Sequence, residues 1–424
     1  MNDLEETLRS TFSHAAGHAP RPPGALAELV ETRYRRRGRR NQALLAAGAV
    51  VVIAGGATFA LTGEDRTGPS PANPQATVSA EVTASAEVTP AEPATGEPEP
   101  IQAVRGTPEP IDKVWPQAVH RLPAKLATGG TFRPAAFIDD RTILVTTWAS
   151  FEKTNVLYAY DLETREARKV ADVQTPADTV LFASDFTIGD GRVAWWTATK
   201  KAVFLWSVPL SGGEPTLVTE QKAEAGDRAA LDPPQIANGR IVFSFRGGGV
   251  FTVPIDGGPA EPVADSTKLH VLRWPWIGTG GWYGSFEGTR FGEIRNVDTG
   301  ETSTAVTKPG ETMVSCGVTL CRGSREGLTG SFVRQRDGSQ ERTVIAHLGP
   351  MESLARDRFT SASYSRGKTG GVELHDLNSG VAADLGIRPG ADGGMLFPMP
   401  ARDERLLSYE LGDEIMVVDL AKIP

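Results

Sequence analysis

Two cysteines, a scatter of histidines and one group of tryptophans are the residues of this sequence whose types and spacing suggest chemistry. Cys316 and Cys321 flank Gly317-Val318-Thr319-Leu320. Across a tight hairpin such positions stand about 5.5 Å apart at Cα, so a disulfide is expected, in an oxidising compartment. His14 and His18 would share one helix face, but no cysteine lies nearby and no carboxylate stands between them, which points to a solvated face. His120, His270, His347 and His375 have no common spacing and are expected to be structural or surface residues. Asp139, Asp140 and Asp190 fit turns, or the rim of a channel. Trp274-Pro275-Trp276, followed by Trp282 and Tyr283, suggests packing between sheets or an aromatic floor for a sugar or peptide. Trp274, Trp276 and Trp282 are therefore the candidate ligand-face residues. The sequence contains no Gly-x-Ser-x-Gly, Walker loop, His-Glu-x-x-His or EF-hand loop, and two cysteines are too few for a multi-cysteine metal site. No catalytic residue, cofactor or metal site is expected.

These residues sit in a chain of 424 residues with net charge −8, which excludes the basic face of a nucleic-acid binder. Residues 43–61 carry no charge, and at 1.5 Å per residue a helix there spans about 28 Å, close to a bilayer core. Six arginines, from Arg33 to Arg40, precede it and acidic residues follow, so the positive-inside rule puts residues 1–42 in the cytoplasm and the bulk of the chain outside. An uncleaved anchor is favoured over a signal peptide, because the segment before the apolar run is long. Within 1–42, Leu4, Leu8 and Phe12, then Leu26, Leu29 and Val30, make two short amphipathic helices, either loosely ordered or ordered on a cytoplasmic protein partner. Residues 62–110 hold nine prolines and eight acidic side chains against two arginines, a net −6, and read as a disordered linker.

Residues 111–424 carry an approximate repeat of paired strands. Examples are GRVAWWTA (191–198), GWYGSF (281–286), LCRGSR (320–325) and RLLSYEL (405–411), each followed by a second strand and a tight turn. Measured at Leu162, Leu210, Ile255, Val297, Arg336, Leu377 and Leu420, the spacings are 48, 45, 42, 39, 41 and 43 residues. A period near 43 without intervening helices predicts an all-β, seven-bladed β-propeller, with six or eight blades as alternatives. The segments VPLSGGEPTLVT (208–219) and VPIDGGPAEPVA (253–264) resemble the repeat of TolB-like propellers. The Trp-Asp dipeptide is missing, so the likeness to WD repeats is one of architecture. The whole layout resembles membrane-anchored, extracytoplasmic propeller proteins of actinobacteria, a resemblance that brings no functional motif with it.

A single-pass cell-membrane protein results, with the propeller outside as a binding or sensor module for a protein, peptide or glycan. Envelope assembly and propeller-channel catalysis are the alternatives. The last unit lacks an outer strand, although an inner strand is expected near Met395–Met399. The segment Gln117–Leu122 precedes the first unit and is expected to supply the missing strand, closing the ring.

Overall fold

The structure, a computed structural model, describes residues 108–150, 153–222, 230–280, 288–325, 331–344, 347–348, 354–366, 369–390, 394–401 and 404–424. Of two compact units, 1–93 and 94–424, all described residues belong to the second. The expected cytoplasmic helices with His14 and His18, the apolar run 43–61 and the linker up to residue 107 lie outside the described residues. Among the described residues no helix is long and apolar enough to cross a membrane.

Seven sheets follow one another along the chain. Blade 1 runs inner to outer through Arg133–Phe137, Thr142–Ser150, Lys153–Asp161 and Ala167–Asp172. Blade 2 repeats the plan with Leu181–Gly189, Arg192–Ala198, Ala202–Pro209 and Thr216–Lys222, and blade 3 with Gln235–Ala237, Arg240–Ser244, Val250–Pro254 and Glu261–Pro262. Blade 4 comprises Leu269–Arg273, Trp276–Thr279, Glu293–Asn296 and Thr302–Thr304. Blade 5 comprises Glu311–Cys316, Leu320–Arg325, Ser331–Gln335 and Arg342–Val344, with Thr289–Arg290 added in parallel inside it. Blade 6 comprises His347–Leu348, Phe359–Arg366, Thr369–Asp376 and Ala382–Asp384. The strand expected at 281–286 is instead Trp276–Thr279, and 281–287 lie outside the described residues.

The core is not one mass but a series of fillings between blades. Apolar clusters join blades 1 and 2, 2 and 3, 3 and 4, 4 and 5, 5 and 6, 6 and 7, and 7 and 1. That cycle is a ring of seven. It explains why Arg192–Ala198 reads as a continuous apolar run rather than an alternation. Val193 and Trp195 fill the gap to blade 1, while Ala194 and Trp196 fill the gap to blade 3, so both faces are covered. The two Gly-Gly turns add a backbone link. Gly213 donates to Val170 O at 3.2 Å and Gly258 to Val218 O at 3.3 Å, each reaching the outer strand of the preceding blade. Gly212 and Gly257 both hold φ of 105°, which a side chain would strain.

Blade 7 is assembled from both ends of the described chain. Leu406–Leu411 pairs with Glu414–Asp419, which pairs in turn with Val119–Pro123, from Val119 opposite Val418 to Pro123 opposite Glu414. The strand begins two residues later than Gln117, because Pro116–Ala118 forms a single 3₁₀ turn with proline at its first position. Leu122 faces the blade 1 side and Val119 the blade 6 side, so the strand is packed from both directions. No strand forms at Met395–Met399; the inner position keeps one bridge, Pro400 to Leu407, and Pro398 and Pro400 lack the N–H a ladder needs. The last residues assigned to the linker are already docked: Asp384 donates to Glu109 O at 2.8 Å and Pro110 bridges Asp384 in parallel.

Deleting residues 111–123 is expected to lower the melting temperature by many degrees or to cause aggregation. Leu122→Ala, at a site 1% exposed, should cost about 3 kcal/mol. Thermal melts followed by circular dichroism check both, and an unchanged melt for the deletion would remove the seam's structural role.

Candidate functional site

The loops joining inner to second strands, and third to outer strands, come together at one end of the ring. Arginines that open second strands organise this end. In blades 1, 6 and 7 the arginine grips an aspartate closing the third strand: Arg141 to Asp161 at 2.7 Å, Arg358 to Asp376 at 2.7 Å and Arg405 to Asp419 at 2.9 Å. The same aspartate then caps the next turn, accepting from Thr164 at 2.8 Å, Asn378 at 3.0 Å and Ala421 at 3.0 Å. The acids considered as a channel rim serve turns and blade contacts. Asp139 accepts from Arg141 and Thr142 amides, Asp140 holds Arg405 at 2.6 Å, and Asp190 accepts from Gly239 of the next blade at 2.7 Å.

Near the ring's centre the loops of blades 4 to 7 converge on Arg273. Its guanidinium pairs with Asp357 Oδ2 at 3.4 Å and with Glu404. Glu404 also accepts the Arg356 amide at 2.8 Å, and Asp357 accepts the Val318 amide at 3.2 Å. Val318 sits in the hairpin closed by the Cys316–Cys321 disulfide. The two cysteines face each other with Cα atoms 3.9 Å apart, closer than expected. Gly317 donates to Leu320 O just beyond them, so they form the narrow, non-hydrogen-bonded kind of pair. Only glycine fits at 317: a Cβ there would meet Asp357 Oδ1 at 1.8 Å. Burial pushes the Asp357 carboxyl above its ordinary value, against Arg273 and the amides of Leu320, Thr319 and Val318. Burial also raises Glu404, against Arg273.

Beside this junction a cleft of about 660 Å³ opens between blades 5 and 6. Blade 5 contributes Gln335, Gln340 and Arg342, and blade 6 contributes Arg356, Asp357 and Asn378. Strand pairing explains the first wall. Leu320 pairs with Gln335, and Val333 with Arg342, while Leu320 and Val333 both belong to the apolar cluster shared with blade 6. Arg342 therefore faces blade 6, and its neighbour Glu341 faces the other way. Burial works to raise the Glu341 carboxyl, but Lys308, Arg334 and Arg325 outweigh it and hold it at about 2. The acid beside Arg342 is thus engaged elsewhere. Arg342 and Arg356 have no side-chain partner among the described residues, whereas Arg141, Arg240, Arg273, Arg358 and Arg405 each hold a carboxylate.

The candidate aromatics are not brought together. Trp274 packs into the gap between blades 3 and 4. Trp276 precedes Ile277, which fills that same gap, so it faces the opposite side of blade 4, and Trp282 lies outside the described residues. The histidines are dispersed: His120 is in the closing strand, His270 meets Asp232 at 2.7 Å, and His375 meets Glu373 at 2.7 Å. Among the described residues no group of three or more His, Cys, Asp or Glu is placed to hold a metal. Sequence reasoning missed Arg273, Arg342, Arg356, Asp357 and Glu404. The arginines opening the second strands of blades 1, 2, 3, 6 and 7 were a visible repeat, but Arg342 and Arg356 stand outside it and nothing local marks them as unpaired.

No family model matches the chain, and no curated protein does either. Solved structures similar to it include an oligogalacturonate lyase from Vibrio parahaemolyticus, 12% identical, TM-score 0.42, covering 72% of this chain and 92% of that one. A putative TolB from Agrobacterium tumefaciens is 15% identical, TM-score 0.31, covering 63% and 98%. YCF48 bound to D1 peptide is 8% identical, TM-score 0.45, covering 71% and 97%. These likenesses are too distant to bear on function. The seven sheets and their cyclic packing define the class on their own: the chain folds as a seven-bladed β-propeller.

Replacing Arg273 with Gln leaves Asp357 and Glu404 without their shared cation. Acids with raised values contribute stability below their unfolded values and lose it as pH rises through the folded ones. The variant should therefore lose about 1–3 kcal/mol at pH 8 and less at pH 5, read from denaturant unfolding at both pH values. An equal loss at both would refute the coupling. For Glu341 the sign is opposite: its value is depressed, so its contribution is present above the unfolded value near 4.5 and fades as pH falls toward 2. Glu341→Gln should cost about 1–2 kcal/mol at pH 7, less at pH 3, and close to nothing only below pH 2.

Proposed function

We propose that this protein is a binding module displayed on the outer side of a cell membrane. Residues 43–61 span the bilayer, 1–42 remain inside for a cytoplasmic protein partner, and the segment after the span acts as a spacer carrying the propeller outward. The observation that carries the binding role is the cleft between blades 5 and 6, where polar side chains line a concavity and two guanidiniums lack a side-chain partner among the described residues. The surrounding loops are fixed by ion pairs and the Cys316–Cys321 disulfide, so the walls are preorganised, which lowers the entropy lost on binding. The disulfide also suits an oxidising exterior, and the arginines ahead of residue 43 suit an inside N-terminus.

The test uses the full chain with an N-terminal tag. Protease added to intact spheroplasts should digest the propeller and spare the tag. The same chain, purified in detergent, should bind members of a peptide or glycan array. Loss of the tag with the propeller protected would reverse the topology, and an array without a single specific ligand would end the binding role.

A further inference from the structure

The cleft's chemistry can be carried further, on the basis of the binding role just proposed. Arg342 is half-buried on a strand and Arg356 is exposed on a loop, and they stand on opposite walls. Asp357, the carboxylate between them and the ring centre, is taken up by Arg273 and the Val318 amide, and its side chain is 8% exposed. Glu341 is turned to the other face of blade 5 and held by three cations. Asp357 is thus engaged through Oδ2, while its Oδ1 is buried without a hydrogen-bond partner among the described residues, Glu404 is held by Arg273, and the cleft keeps two positive groups. Gln335, Gln340 and Asn378 add side-chain amides, which donate and accept as peptide groups do. No aromatic ring is among the lining residues to stack on a sugar. We propose that this cleft is a carboxylate-binding site for an acidic peptide, with Arg342 and Arg356 each taking a carboxylate and the three amides meeting its backbone.

One source of such a peptide is close at hand. Glu97-Pro98-Glu99-Pro100 lies about ten residues before Pro108, a reach of about 30 Å when extended. Pro110 pairs in parallel with Asp384, and the strand Ala382–Asp384 starts from the turn that contains Asn378. The described chain therefore enters from the end of blade 6 that bears the cleft. An acidic peptide of another molecule has the same chemistry and is the other source.

The full chain in detergent is titrated calorimetrically with a synthetic peptide of residues 94–107, at low and high salt. Affinity should fall about tenfold in Arg342→Gln and in Arg356→Gln, and by at least as much for a peptide with both glutamates replaced by glutamine. Because neither arginine side chain has a partner among the described residues, both variants should melt with the wild type; a lowered melt would contradict the unpaired state on which the site rests. Equal affinities across the variants, or for the glutamine peptide, would overturn the site. In a chain carrying Glu97→Gln and Glu99→Gln, tighter capture of free peptide identifies the chain's own segment as the natural occupant. Unchanged capture identifies a separate molecule, and either result upholds the site. Preference for oligogalacturonate over the peptide would overturn the peptide assignment. If an array ligand binds wild type and Arg342→Gln alike, the site fails while the binding role stands; if wild type binds nothing, the binding role itself fails.

Discussion

Each blade of this propeller is covered on both faces only because it has a neighbour on both sides, so the ring has to close for any sheet to be fully buried. A linear stack of the same sheets would leave two apolar faces in water, those now carrying Ile143 and Val145 on blade 1 and Val417 and Ile415 on blade 7. Closure is made by five residues, Val119–Pro123, hydrogen-bonded along Glu414–Asp419. That strand places Leu122 against blade 1 and Val119 against the cluster shared with blade 6. Its loss would be felt in two gaps at once, which is why a segment this short has weight beyond its own area.

The gaps are not filled alike. The one between blades 6 and 7 gathers a large apolar cluster that includes Ile111, Trp115 and Ala118 from before the closing strand. Between blades 5 and 6 the apolar cluster among the described residues comprises Leu320, Val333, Val344, Leu354 and Leu377, and the buried residues Arg322, Thr360, Glu373 and His375 share the neighbourhood. Between blades 4 and 5, polar anchoring takes over. Arg336 donates to the carbonyls of Phe291, Gly317, Gly292 and Ser303, spending its guanidinium on backbone acceptors from both blades. Arg334 is buried on the same strand and pairs with Glu311. Blade 5 is thus fixed by directional bonds toward blade 4, and the cleft opens on its blade 6 side.

Much of the architecture was legible because it is periodic. The 43-residue spacing, the paired strands and the Gly-Gly turns of blades 2 and 3 each have a local physical cause. So did the orphan segment before the first unit, because an incomplete last blade calls for a strand from elsewhere. Blade 4 was misregistered: aromatic-rich 281–286 is a better strand by composition than Trp276–Thr279, yet Trp276–Thr279 is the segment paired with Leu269–Arg273. The site was hardly legible at all. Arg342 and Arg356 are ordinary surface residues in sequence, and their significance comes from what their neighbours already hold. Asp376 is taken by Arg358, Asp357 by Arg273, and Glu341 by Lys308 and Arg325. Such leftover charge is a property of the whole set of pairings and has no signature along the chain.

The seam also separates the order of the sheets in the chain from their order in space. Gln117 Nε2 donates to Lys422 O at 3.2 Å, so the turn before the closing strand and the last turn after blade 7 are one hydrogen bond apart. A few added residues joining Pro424 to Ile111 would make blade 7 a continuous sheet, and the chain could then be opened at a surface turn such as Asp298-Thr299-Gly300 instead. In such a circular permutant every blade keeps both neighbours, because packing in a ring has no first member. The seam could then lie in any of the seven blades.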